Sequence, residues 1–204
     1  MKLRILLLLT LITSVSLLQA QNRQDRDPNL NNDLYLIPEI RIGYSFLDTN
    51  NPLVVSGATS NPYKTQYGNY TPLNYSALIS AGYHFTPQYA AGIGVGIVRY
   101  TQPGATSLPL FIDLRGYFKD AKETPFAFAK LGTCFQWWKT FEPGTFATLG
   151  LGYKFFWGKQ CMTASLGYEF KHNSNWTDLK APENTSVYSL NRHSFCLSIG
   201  MILF

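Results

Sequence analysis

The sequence predicts an all-β fold: an eight-stranded antiparallel up-and-down transmembrane β-barrel behind a cleaved N-terminal signal peptide. Three observations carry this. Eight long segments alternate apolar and small or polar residues with period two, the periodicity of a strand whose two faces meet different surroundings. Aromatic residues gather near segment ends. The connections alternate between short and longer, as hairpins of a barrel do.

The chain is 204 residues long, enough for one domain or one modest barrel. Residues 1–20 are set aside as a signal peptide. Lys2 and Arg4 form its positive region, Ile5 to Leu18 its apolar run, and Ala20 the small residue at the cut. That run is short for a membrane span. No cysteine follows the cut, so no lipoprotein anchor is expected. Residues 21–34 are polar, Asn-rich and broken by Pro28, the composition of a flexible tail. The barrel domain is expected over 35–204.

The segments are Tyr35–Leu47, Leu73–Phe85, Tyr89–Thr101, Leu108–Phe118, Pro125–Trp138, Thr145–Trp157, Gln160–Lys171 and Ser189–Phe204. At roughly 11 to 16 residues each, they are about twice the length of an ordinary strand. Tilted by about 40°, strands of this length climb an apolar band of about 25 Å. In the third segment Ile93, Val95 and Ile97 oppose Gly92, Gly94 and Gly96. In the sixth, Ala147, Leu149, Leu151, Tyr153, Phe155 and Trp157 oppose Thr148, Gly150, Gly152 and Lys154. In the seventh, Met162, Ala164, Leu166, Tyr168 and Phe170 oppose Thr163, Ser165, Gly167, Glu169 and Lys171. A soluble sandwich alternates too, but keeps bulky residues inside and charges outside. Here the small and polar row suits a cramped lumen, so the bulky row is assigned to the outside.

Two aromatic girdles are expected. One comprises Tyr83, Phe85, Tyr89, Tyr117, Phe118, Phe155 and Trp157. The other comprises Tyr44, Phe46, Tyr100, Phe135, Trp137, Tyr168 and Phe170. Short connections at 86–88, 119–124 and 158–159 belong at the periplasmic end. The longer ones, above all 48–72 and 172–188, belong outside. An even strand count then returns both termini to the periplasm.

GYHFTPQYAAGIGVGI, LPLFIDLRGYF, TPFAFAKLG, ATLGLGYKF and the terminal strand resemble small eight-stranded bacterial outer-membrane barrels of the porin-like, OmpA-transmembrane-domain type. The resemblance implies residence in the outer membrane of a Gram-negative cell, among its lipid and lipopolysaccharide. It also implies that Phe204 is the address read by the barrel-assembly machinery. Phe204 departs from the usual phase. Phe195, Leu197, Ile199, Met201 and Leu203 form the outward row, whereas Phe204 falls with Cys196, Ser198, Gly200 and Ile202. Either a bulge near Gly200 or a turn past the rim would accommodate this.

Eight strands enclose a space that side chains just fill. Inward parity collects Glu39, Arg41, Asp113, Arg115, Lys130, Lys154, Glu169 and Lys171 into one polar lumen network, a salt-bridged plug. Arg99 falls on the outer row, where its head can snorkel to lipid phosphates. The role expected is structural or surface-binding, through loops 48–72 and 172–188. The first of these carries Tyr63, Tyr67 and Tyr70, suited to an extracellular ligand.

The alternative function is hydrolytic. His172-Asn173-Ser174-Asn175 resembles the active-site stretch of the lipid A deacylase barrels. That resemblance implies a catalytic His172 activating Ser174, with an acid orienting the imidazole. Glu183 is the nearest acid, but the expected position falls around Ser186 or Val187. His84 is assigned to the inner row as hydrogen-bonded filler, and His193-Ser194 to the opening of the last strand.

No cofactor and no metal site are expected. Cys134, Cys161 and Cys196 are assigned as small apolar residues. The alternating glycines 92, 94 and 96 lie within a strand with no helix after them, which excludes a nucleotide loop. Loss of Lys2 and Arg4 lowers the formal charge from +5 to +3, too little and too dispersed for nucleic acid.

Overall fold

The computed structural model describes residues 34–52, 73–101, 106–136, 144–176 and 188–203. Residues 1–20, assigned above to a signal peptide, residues 21–33, Trp137, Glu183 and Phe204 lie outside them, as does most of the 48–72 segment.

Eight strands form one closed antiparallel barrel in sequence order. They are β1 (Leu34–Pro52), β2 (Leu73–His84), β3 (Tyr89–Tyr100), β4 (Thr106–Tyr117), β5 (Thr124–Gln136), β6 (Gly144–Trp157), β7 (Gln160–Trp176) and β8 (Tyr188–Ile202). Each pairs with its sequence neighbour, and β8 closes on β1 through Glu39↔Gly200 to Pro52↔Tyr188. Closure leaves no unpaired edge among them. Three strands outrun their expected bounds at the long-connection end. β1 continues to Pro52, β4 begins at Thr106, and β7 continues to Trp176. The outer segments are therefore walls where the sequence suggested loops.

The register shifts twice, between Ser45 and Leu47 on β1 and between Asn173 and Trp176 on β7. No shift occurs at Gly200, which pairs with Glu39 and with Thr163. The bulge option near Gly200 is thus replaced. The outward row ends instead at Met201, because Ile202 and Leu203 are both buried and the Leu203 amide donates to the Leu36 carbonyl at 2.8 Å. Both ends of the barrel domain meet at the end that carries the short turns. There the tightest, Gly158-Lys159, has Gly158 at φ 61°, the left-handed region glycine enters without penalty.

The outside is aliphatic. Ile93, Leu149 and Leu166 are 67%, 56% and 59% exposed, and Ile97, Ile112, Leu151, Leu197 and Ile199 share that surface. Tyr83, Phe85, Tyr89, Phe118 and Trp157 are exposed at the short-turn end. Tyr44, Phe46 and Tyr168 are exposed toward the other. Two assigned girdle members are elsewhere: Tyr100 and Tyr117 are buried within the lumen. Period two accounts for both, since Tyr100 follows inward Val98 and Tyr117 follows inward Arg115.

The inner row is less purely small and polar than the sequence suggested. Tyr35, Ile37, Ala90, Tyr117, Phe126, Phe128, Cys161 and Ile202 form one apolar cluster. Leu78, Phe111, Cys134 and Phe146 form a second. The glycines make room for these rings. A Cβ on Gly150 would stand 2.6 Å from the Phe128 ring, and one on Gly94 would meet the Phe111 ring and lie 2.9 Å from the Ile79 carbonyl oxygen. Each glycine is a recess in the wall into which a facing ring settles. Gly94→Val is therefore expected to destabilise the folded barrel by about 1–3 kcal/mol through overpacking, measured by denaturant titration.

Candidate functional site

Three strands carry the same short motif on their inner faces, an acid followed two residues later by a base. Glu39 and Arg41 stand on β1, Asp113 and Arg115 on β4, and Glu169 and Lys171 on β7. Spacing of two puts both members on the lumen side, so each acid meets its own base. Arg41 donates to Glu39 at 2.9 Å, Arg115 donates twice to Asp113 Oδ2 and once to Oδ1, at 2.9–3.2 Å, and Lys171 lies 2.8 Å from Glu169.

Contacts across the barrel then join the three pairs. Arg41 Nη1 donates to Glu169 Oε2 at 2.8 Å. Lys130 Nζ donates to Glu39 Oε2 at 2.6 Å, and Arg115 Nη2 approaches the same oxygen at 3.8 Å. The result is one continuous ion network of Lys171, Glu169, Arg41, Glu39, Lys130, Arg115 and Asp113, with Glu39 at its hub. All are buried; Lys130 and Asp113 are fully so. The bases also lie against aromatic faces. Lys130 Nζ sits 5.5 Å from both the Phe111 and Phe128 ring centres, and Lys171 Nζ 5.0 Å from that of Tyr100. Each cation thus gains a second attractive partner where water is scarce.

Lys154, assigned to the same network, stands apart from these carboxylates, over the Tyr117 ring at 5.2 Å. Arg192 was not assigned to the lumen, yet it is buried there with its guanidinium 4.5 Å from the Tyr100 ring centre. Its place was available from period two, since it shares a row with Ser194, Cys196 and Ser198. Among the described residues, three acids face six lysines and arginines in the lumen. The three cysteines are buried, and no disulfide joins them among the described residues. His84 is buried between the Tyr35 and Tyr117 rings, at 5.2 and 5.5 Å.

A second polar group lies on the outer face of β7 and β8. His172 is on β7 itself, not at a loop start, and pairs with Thr145 of β6 and Asn191 of β8. Its Nδ1 is 2.6 Å from Asn191 Oδ1. His193 lies beside it on β8, with Nδ1 bonded to the Tyr168 hydroxyl and its ring against those of Phe46 and Phe170. His193 is therefore part of an aromatic patch with Tyr168, Phe46 and Phe195. Ser174 lies within β7 beyond the described side chains, and Glu183 lies outside the described residues. Arg99 is on the outer face as assigned, donating to Thr106 at 2.9 Å. No three His, Cys, Asp or Glu converge as metal ligands among the described residues.

No family model matches the chain. No curated protein matches it either. Solved structures do. The outer membrane protein OprG of Pseudomonas aeruginosa superposes with a TM-score of 0.53 at 7% identity, covering 87% of this chain and 99% of that one. The N-terminal β-barrel domain of Pseudomonas aeruginosa OprF gives 0.45 at 12% identity, over 85% and 99%. Neisserial surface protein A gives 0.46 at 10% identity, over 84% and 97%. The likeness to OprG is one of fold. The chain has the architecture of a small eight-stranded outer-membrane β-barrel.

Proposed function

We propose that this chain is an integral outer-membrane protein of a Gram-negative cell. Its lumen is plugged by the ion network, and its role is structural or surface-binding through loops 48–72 and 172–188. One observation carries the reading: the wall is inverted, with aliphatic side chains outside and ionised ones sealed within. In water this arrangement would expose a continuous apolar belt far larger than a monomer tolerates. In lipid the same belt is solvated, and closure leaves the sheet no open edge of backbone groups among the described strands. Aromatic rings toward both ends suit the headgroup layers. The short-turn end, where both termini of the barrel domain meet, would then face the periplasm, and Phe204 would serve the assembly machinery.

Two measurements test this. The folded protein is expected to migrate differently from the boiled protein on a gel, and to partition with the detergent phase. A water-soluble, lipocalin-type barrel would stay in the aqueous phase and sink the proposal.

A second reading, an ester hydrolase acting on outer-leaflet lipid, is supported by one observation. His172 has its Nδ1 held by a hydrogen-bond partner, as a catalytic imidazole needs. Loss of acyl chains from lipid A on expression, read by mass spectrometry, is its test.

A further inference from the structure

On the side of the ion network toward the long connections, five polar atoms have no hydrogen-bond partner among the described residues. They are Arg41 Nε, Ser76 Oγ, Asn74 Oδ1 and Nδ2, and the Tyr100 hydroxyl. All four side chains are buried, none more than 6% exposed. A buried polar group left unpaired costs about 1–3 kcal/mol, so native folds rarely gather several in one place.

These side chains form a ring. Arg41 is the ladder neighbour of Ser76, and Asn74 is that of Tyr100. Ser76 and Asn74 are two residues apart on β2 and share its inner face. Asn74 lies against β1 just beyond Arg41, since a Cβ on Gly43 would stand 2.6 Å from its Nδ2. The Tyr100 ring centre is 5.0 Å from Lys171 Nζ. Lys171 and Arg41 each take one oxygen of Glu169, both at 2.8 Å, which closes the circuit.

Charge points to what fills the ring. The contact network holds four bases, Arg41, Arg115, Lys130 and Lys171, against three acids, Glu39, Asp113 and Glu169. Four less three leaves one positive charge in a sealed interior, where an uncompensated ion is costly. Lys154 stands apart from these carboxylates, and Arg192 has Asp48 as its ladder neighbour, so neither alters that sum. The ring is also rich in donors. Arg41 Nε, Asn74 Nδ2 and Lys171 Nζ can only donate, and the Ser76 and Tyr100 hydroxyls can donate as well. Asn74 Oδ1 is the one free atom that must accept, and a neighbouring hydroxyl can serve it. Such a set suits a ligand that accepts hydrogen bonds and carries negative charge.

We propose that Arg41, Lys171, Ser76, Asn74 and Tyr100 bind one small inorganic anion of the halide class, with chloride as the occupant in the protein's surroundings. This rests on the plugged-lumen reading and adds a ligand to it. The two bases supply the charge, and the amide and hydroxyls supply neutral donors. The anion offsets the surplus charge of the network and partners the atoms that the protein leaves unpaired.

The test is chloride NMR line broadening by the full chain folded in zwitterionic detergent, with gluconate replacing chloride to hold ionic strength. Each variant is first shown to be folded by heat-modifiable migration. The parent is expected to broaden the chloride line saturably, and bromide to compete that broadening away. Lys171→Met removes the surplus charge while Arg41 keeps Glu169, and should abolish the saturable part. Ser76→Ala and Tyr100→Phe, which each remove one neutral hydroxyl and keep the ion pairs, should weaken binding by about 10-fold. Lys119→Met, at an exposed lysine on a short turn, should leave it unchanged. No saturable broadening by the folded parent overturns the anion site, while the outer-membrane reading stands or falls separately on detergent partition. Saturable broadening that persists at full strength in Ser76→Ala, Tyr100→Phe and Lys171→Met places the anion elsewhere and overturns the site as well.

Discussion

Replacing Glu39 by alanine is expected to destabilise the folded barrel by about 3–5 kcal/mol, the largest effect of any single lumen substitution. Its two oxygens hold Arg41 at 2.9 Å and Lys130 at 2.6 Å, with Arg115 at 3.8 Å. Removing the carboxylate leaves Lys130, fully buried, with no acid at salt-bridge distance among the described residues, and weakens the hold on two guanidinium groups. A buried ion stripped of its partner keeps its desolvation cost and loses the attraction that offset it. Arg41 retains Glu169, and Arg115 retains Asp113, so the damage concentrates on the lysine. Glu123→Ala, at an exposed carboxylate on a short turn, is the control and should stay within about 0.5 kcal/mol. Urea titration in lipid vesicles, read by tryptophan fluorescence, gives both values. A Glu39→Ala barrel within 1 kcal/mol of the parent would show that water reaches the network freely.

Leu149→Arg is expected to cost about 2–4 kcal/mol in a bilayer, because the side chain lies near the middle of β6 on the outer face. Trp157→Arg, at the rim of the same strand and 77% exposed, should cost no more than about 1 kcal/mol. The depth dependence is the informative part. A barrel whose outer face met water would be indifferent to either change, or made more soluble by both. Spin labels at Ile93, Leu149 and Leu166 provide an independent reading, since acyl-chain contact yields oxygen accessibility without accessibility to polar relaxants. The reverse pattern would invert the fold's assignment of inside and outside.

Much of this architecture could be read from parity. Glu39, Arg41, Asp113, Arg115, Lys130, Glu169 and Lys171 announce their side of the wall because each alternates with the outward row of its strand, and a period of two admits no intermediate position. What parity omits is distance. Nothing in the spacing of Glu39 and Lys130 says that they meet at 2.6 Å across the lumen, or that Lys154 stands away from the carboxylates over Tyr117. Aromatic residues misled for a related reason. An amphipathic ring suits a headgroup layer or a packed lumen equally, so Tyr100 and Tyr117 were placed by composition when their row already assigned them inward. Strand ends were the least legible. Polar residues such as Asp48, Thr49, Asn50 and Asn51 have turn-forming chemistry, yet β8 offers them partners from Arg192 to Ser189 and the ladder continues.

The two strands that meet at the closing seam, and β7 beside them, are also long ones, 19 residues in β1, 17 in β7 and 15 in β8, against 12 in each of β2, β3 and β4. The extra three to seven residues on a tilted strand add on the order of 10 Å of height. Among the described residues the strand wall is consequently taller on that flank, so a partner gripping the wall itself should meet it from that side.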